Sequence, residues 1–104
     1  MRGLFIPMLL TTEEIVPTEF ELGQNYPNPF KEKTTIKYCV PETIKLRLEV
    51  FDLKGNKVKT LVDGTKEAGT HKVEFNAENF ESGEYLYKLE SKDYFESKNM
   101  VILK

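Results

Sequence analysis

From Phe20 onward, apolar and polar residues alternate in short runs dominated by β-branched and aromatic side chains. A period of two sends successive side chains to opposite faces of an extended chain, the pattern of strands buried on one side. No window of about ten residues carries a 3.6-residue apolar stripe. Residues 20–30 are apolar enough to compete, but they hold Gly23, Pro27 and Pro29, which forbid a helix.

The runs can be taken in order. In residues 34–40, Ile36, Tyr38 and Val40 share one face and Thr35, Lys37 and Cys39 the other, and Pro41 ends the ladder. Residues 45–53 put Leu46, Leu48 and Val50 inward and Lys45, Arg47 and Glu49 toward water, while Phe51 and Leu53 predict that the outer face becomes covered near its end. Lys54-Gly55-Asn56 reads as a turn, because Gly and Asn adopt positive φ at little cost. In residues 57–62 the spacing of Val58, Leu61 and Val62 breaks alternation, which predicts a bulge or a short edge strand. Asp63-Gly64 and Ala68-Gly69 bracket a loop, and His71, Val73 and Phe75 then alternate with Lys72, Glu74 and Asn76. Residues 83–91, opened by Gly83, set Tyr85, Tyr87 and Leu89 against Leu86, Lys88 and Glu90. Ser91-Lys92-Asp93 returns the chain into a last strand over residues 94–103. About seven strands at intervals of about 8–12 residues predict an all-β antiparallel sandwich.

A chain of 104 residues allows one domain of ordinary size. A body of about 85 residues buries only a little over 60% of its unfolded surface, so aromatic packing has to compensate, and seven Phe and five Tyr supply it. Lys plus Arg number 15 against 17 for Asp plus Glu, far from the basic surplus that phosphate-backbone binding needs, so nucleic acid is not an expected partner. A single Cys excludes an internal disulfide, and with a single His it cannot build the usual zinc sites. No stretch reaches the roughly 20 apolar residues of a transmembrane helix. The apolar run in residues 1–10 is interrupted by Pro7 and followed by Thr11, Thr12, Glu13 and Glu14, so it reads as a remnant of an upstream region, an extra strand or a disordered tail rather than a working signal peptide. Residues 11–18 read as a linker. The expected division is therefore 1–18 as linker or remnant and 19–104 as the folded domain.

Little in the chain points to catalysis. Cys39 and His71 would make a nucleophile and base only if adjacent in space, and no orienting third group accompanies them. Ser82-Gly83 lacks the spacing of a nucleophile elbow. Asp52, Asp63 and Asp93 sit near turns, which explains them without calcium. Tyr85, Tyr87 and Tyr94 would serve as a sugar platform only if exposed, and core packing is the competing explanation. No cofactor, metal or catalytic residue is expected.

The segment Gln24-Asn25-Tyr26-Pro27-Asn28-Pro29-Phe30, preceded by Leu22-Gly23, resembles the opening motif of the C-terminal sorting domains of the type IX secretion system of Bacteroidetes-like bacteria. The likeness continues through Thr34-Thr35-Ile36-Lys37-Tyr38, Val50-Phe51-Asp52-Leu53-Lys54-Gly55, Ala68-Gly69-Thr70-His71 and Ser82-Gly83-Glu84-Tyr85-Leu86-Tyr87 to the closing Lys98-Asn99-Met100-Val101-Ile102-Leu103-Lys104. Three places differ: Lys31-Glu32 stands where a second Asn-Pro is usual, Lys92-Asp93 where Gly is common, and Asn99 where Lys is frequent.

The resemblance implies an immunoglobulin-like sandwich acting as a non-catalytic targeting module. Its covalently attached cargo would cross the periplasm and reach the outer-membrane surface or the medium. The implied partners are the type IX machinery at the outer membrane and a sortase-like protease, with cleavage expected in residues 11–19, where flexible backbone is accessible. Pro27 and Pro29 stiffen the opening motif into a strap, with Tyr26 and Phe30 expected to plug the open end of the core. The last strand is the expected recognition element: Lys98, Met100, Val101, Ile102, Leu103 and Lys104 offer a mixture that strand addition to a partner's sheet would use. Gly55, Gly69 and Gly83 are the expected turn glycines. A carbohydrate-binding or adhesion module and a structural module like those of flagellar hook caps are the alternatives.

Overall fold

The computed structural model describes residues 17–104, so the apolar run and most of the expected linker lie outside the described residues. Seven strands follow in order: β1 (Glu21–Leu22), β2 (Lys33–Val40), β3 (Ile44–Phe51), β4 (Lys57–Lys66), β5 (Gly69–Asn76), β6 (Gly83–Ser91) and β7 (Phe95–Ile102). They form two antiparallel sheets, one in the order β1-β2-β5 and the other β4-β3-β6-β7. The fourth strand lies beside the third, in the larger sheet, rather than beside the fifth as in an immunoglobulin constant domain.

Four of the strands make one long hairpin folded across its middle. β3 pairs with β4 from Phe51↔Lys57 to Ile44↔Lys66, and β2 pairs with β5 from Val40↔Gly69 to Lys33↔Asn76. Between these halves lie only residues 41–43 on one arm and 67–68 on the other. Pro41, which has no N–H to give a ladder, sits at that crease. Each half thus joins a different sheet, and the inward rows meet: Ile36, Tyr38 and Val40 from β2 face Leu46, Leu48 and Val50 from β3, with Phe75, Tyr87, Leu89, Met100 and Ile102 completing the core. Each such side chain gains about 1.5–3 kcal/mol on leaving water.

Several sequence expectations need correction. β4 is ten residues long, not short, and Asp63-Gly64 lies inside it, because β3 begins early enough to give residues 63–66 backbone partners. Only Glu67 and Ala68 separate it from β5. The expected bulge is present: the register slips at Leu48/Glu49 and Val50/Phe51, leaving Leu61 and Val58 of β4 unopposed. Glu49 does not face water, since it sits on a strand flanked on both sides; its side chain is 8% exposed and its carboxylate lies 3.2 Å from Lys57 Nζ. Leu53 is exposed, because it lies past the strand end in the hairpin tip. Phe51 is partly covered, with Lys88 Nζ 5.0 Å from its ring centre and 5.2 Å from that of Phe95.

The hairpin tip is organised by Asp52, whose Oδ1 accepts the backbone N–H groups of Asn56 and Lys54, each at 2.9 Å. Gly55 completes it at φ 92°, a conformation that disfavours any side chain. The Asn56 N–H, chiefly, holds the Asp52 carboxyl below the usual carboxylate range. Gly69 and Gly83 open β5 and β6.

The antiparallel order gives the sandwich two distinct poles. At one lie the connections 41–43, 67–68 and 92–94, with Phe20 stacked on Tyr94 at 4.5 Å between ring centres. At the other lie residues 27–32, 52–56 and 77–82 and the end of β7.

Candidate functional site: a strap across two sheet edges

Residues 23–30 run first along β2 and then over to β7. Beyond the β1 pairs, Gly23 N–H donates to Lys37 O at 2.8 Å, and Tyr26 and Thr35 exchange two backbone bonds of 2.9 Å. The chain leaves β2 at residues 27–29, with cis bonds at Tyr26-Pro27 and Asn28-Pro29. On the far side the strap meets the outer edge of β7. Phe30 N–H donates to Val101 O at 3.0 Å, and Leu103 N–H donates to Phe30 O at 2.8 Å. Two side chains complete the contact: Asn28 Oδ1 accepts the Val101 N–H at 2.9 Å, and Gln24 Nε2 donates to Asn99 O at 2.8 Å. One flank of the sandwich is thereby closed, with both sheet edges tied by a single segment.

A buried polar pin holds the strap down. Tyr87 rises from β6 through the core, accepts the Asn25 N–H at 2.8 Å and donates to Gly23 O at 2.6 Å. Burial pushes its phenol up to about 12. Asn25, 2% exposed, donates through Nδ2 to Pro27 O and to Thr34 Oγ1, and Thr34 in turn donates to Pro27 O at 2.8 Å. These polar groups are buried but partnered, so they fix the position of the strap without a desolvation penalty left open. Phe30 is the apolar counterpart: it is buried and packs edge-on to Phe75, which contacts Phe80, which contacts Tyr85.

The expected site residues divide accordingly. Phe30 plugs the core, but Tyr26 does not: it is 81% exposed, because pairing with Thr35 at a sheet margin turns its ring outward. Met100 and Ile102 are core residues, Val101 is half-buried on the outer face, and Leu103 is 59% exposed. Lys98 pairs with Glu96 at 3.6 Å, and Lys104 reaches the Glu78 carbonyl through Nζ and Ser82 Oγ through its N–H. The last strand's edge is not free for strand addition, as its sequence suggests, because the strap already occupies it at Asn99, Val101 and Leu103.

The other candidates are placed apart. Cys39 and His71 fall on opposite faces of the smaller sheet: His71 is paired with Tyr38 and stacks on its ring, whereas Cys39 Sγ lies 3.6 Å from both Glu21 and Thr70. Tyr87 is enclosed, and Tyr94 lies flat on Phe20 with its hydroxyl on Glu96, so Tyr85, Tyr87 and Tyr94 form no sugar platform. Among the described residues, no three acidic, His or Cys side chains come together to hold a metal ion.

The polar network of this site is spent on fastening a strap to a β-sandwich. Residues 24–103 match the family described as the secretion system C-terminal sorting domain, and the chain belongs to that family. No curated protein matches it. It is a C-terminal sorting domain of the type IX secretion system, a non-catalytic module that is recognised by the secretion machinery and directs attached cargo to the cell surface or medium.

Proposed function

We propose that the pole carrying the strap and the end of β7 is the part that the type IX machinery reads at the outer membrane, after the cargo has crossed the periplasm. The observation that carries this reading is polarity. Tyr26, Leu53 and Leu103, three of the four large exposed apolar residues among the described residues, lie at that pole, while Phe20, ahead of the first strand, lies at the other. Exposed apolar side chains gathered at one end favour a docking role. Cargo attached upstream leaves that end unobstructed. Lys98, Val101, Leu103 and Lys104 supply the side chains within reach of a partner, with Met100 and Ile102 holding them in register from the core. A sortase-like protease would cut in residues 11–19, ahead of the first strand.

The test is to fuse the chain behind a signal peptide and a reporter in a host that has this secretion route. Delivery of the reporter to the surface or medium is expected. Retention in the periplasm would overturn the reading, as would undiminished delivery by a folded variant carrying Tyr26→Ser, Leu53→Ser and Leu103→Asp.

A further inference from the structure

We propose that the outer edge of β7 is a strand-addition site for an extended segment of the export machinery, and that residues 28–30 of the strap are an internal cover which this segment replaces. The proposal rests on the sorting reading above and adds to it the mode of recognition and the chemistry of the partner.

The edge is already used as a strand-addition site, but by an imperfect occupant. Asn99, Val101 and Leu103 turn backbone groups away from β6, and the strap meets four of them. Only two of those four bonds come from strap backbone; the Gln24 and Asn28 side chains make the others. Ser97 turns its N–H and C=O the same way by strand alternation, and among the described residues no backbone group takes them up. A regular strand would satisfy the same edge and extend along it.

The strap also divides into halves with different moorings. Residues 23–26 are held by β2 and by Tyr87, so they stay when β7 is released. Residues 28–30 are held mainly on β7, and they swing from Pro27. What resists opening is the Phe30 side chain, buried beside Phe75. An incoming segment therefore has to bring a large apolar side chain to that seat. It would run parallel to β7, as Phe30 does against Ile102. The partner is thus an extended peptide with an aromatic or large aliphatic residue at one fixed register, a requirement that backbone pairing alone would not impose.

Residue-resolved amide exchange on the whole chain tests the cover. Asn28→Ala should speed exchange at the Val101 N–H about fivefold, the value of one ordinary hydrogen bond, and leave Leu89 in the core unchanged. Exchange of Val101 in step with Leu89 in both proteins would overturn the proposal, since the strap would then leave only on global unfolding. The seat is tested with Phe30→Ala and a synthetic peptide copying residues 24–32. The peptide should restore protection at Val101, and a copy with Ala in place of its Phe should not; equal effects of the two peptides, or none, would overturn the claim about the partner. If Phe30→Ala does not fold, the same peptides are added to Asn28→Ala with the same outcomes. In the reporter fusion, Asn28→Ala should be exported faster than the unmodified chain. Slower or equal export with Leu89 protection intact would overturn the covering role, whereas periplasmic retention of both proteins would strike down the sorting reading, and the proposed partner with it, while the exchange result stands.

Discussion

The Tyr87 hydroxyl accepts the backbone N–H of Asn25 at 2.8 Å, joining a central strand to the strap across 62 residues of sequence. The same hydroxyl donates to Gly23 O at 2.6 Å, so one phenol satisfies two backbone groups at the place where the chain enters the sandwich.

Tyr87→Phe keeps the ring in the core and removes both bonds. It leaves a buried N–H without its acceptor and a carbonyl without its donor, which should cost about 2–3 kcal/mol. Urea denaturation should show the midpoint falling with an unchanged slope; a loss below about 0.5 kcal/mol would mean that water replaces the phenol freely.

Alkaline stability should follow from the same group. The Tyr87 phenol rises from its ordinary 10.0 to about 12, principally through burial. Between those values the folded chain keeps the proton and the unfolded chain loses it, so rising pH favours unfolding. The stabilisation is complete below pH 10 and disappears as pH rises through about 12. Tyr38 and Tyr94 are also shifted upward by burial, so Tyr87→Phe should make the decline shallower without abolishing it. Urea midpoints measured from pH 8 to 12 for both proteins provide the comparison, and an identical decline would exclude Tyr87 as a contributor.

Met100→Ala and Leu103→Asp should separate folding from recognition. Met100 is fully buried, and its truncation should cost about 2–5 kcal/mol and impair export through unfolding. Leu103 is 59% exposed, and its substitution should change stability by less than about 0.5 kcal/mol while lowering reporter delivery. Thermal melts paired with export assays would show the two effects diverging.

Two glycines should resist alanine for different reasons. Gly55 has open space for a Cβ but a φ of 92°, so Gly55→Ala should cost about 1–2 kcal/mol in backbone strain. A Cβ at Gly23 would stand 3.0 Å from the Lys37 carbonyl oxygen, and Gly23→Ala should weaken the strap's hold on β2. Amide exchange at Gly23 and Tyr26 should report the second effect, and unchanged protection there would show that the strap yields to the methyl group.

Alternation made much of the fold legible, because a period of two survives wherever one face is buried. It locates the inward residues of β2 and β3, and Phe75, Tyr87 and Leu89, without knowledge of which strand pairs with which. It fails where a neighbour decides. Asp63-Gly64 has the composition of a turn, yet β3 supplies ladder partners there and the strand continues. Glu49 has the polarity of a surface residue, yet its strand is central and Lys57 covers it. The motif at residues 24–30 is legible as a stiff strap that sends Phe30 into the core, but its fastenings are not. Its bonds to Tyr87, Asn99 and Val101 span 62, 75 and 73 residues, and nothing local in the sequence announces such pairings.

Because residues 24–30 emerge from the ribosome long before β7 does, the fastening of residues 28–30 to β7 can close only after that strand has been made. A polypeptide broken off ahead of Asn99 keeps residues 23–26 on β2 and Tyr87 but has nothing to latch residues 28–30 to. The finished signal is consequently formed only in chains synthesised through β7. Truncation variants ending before residue 99 should be digested by protease within the motif, where the intact chain resists.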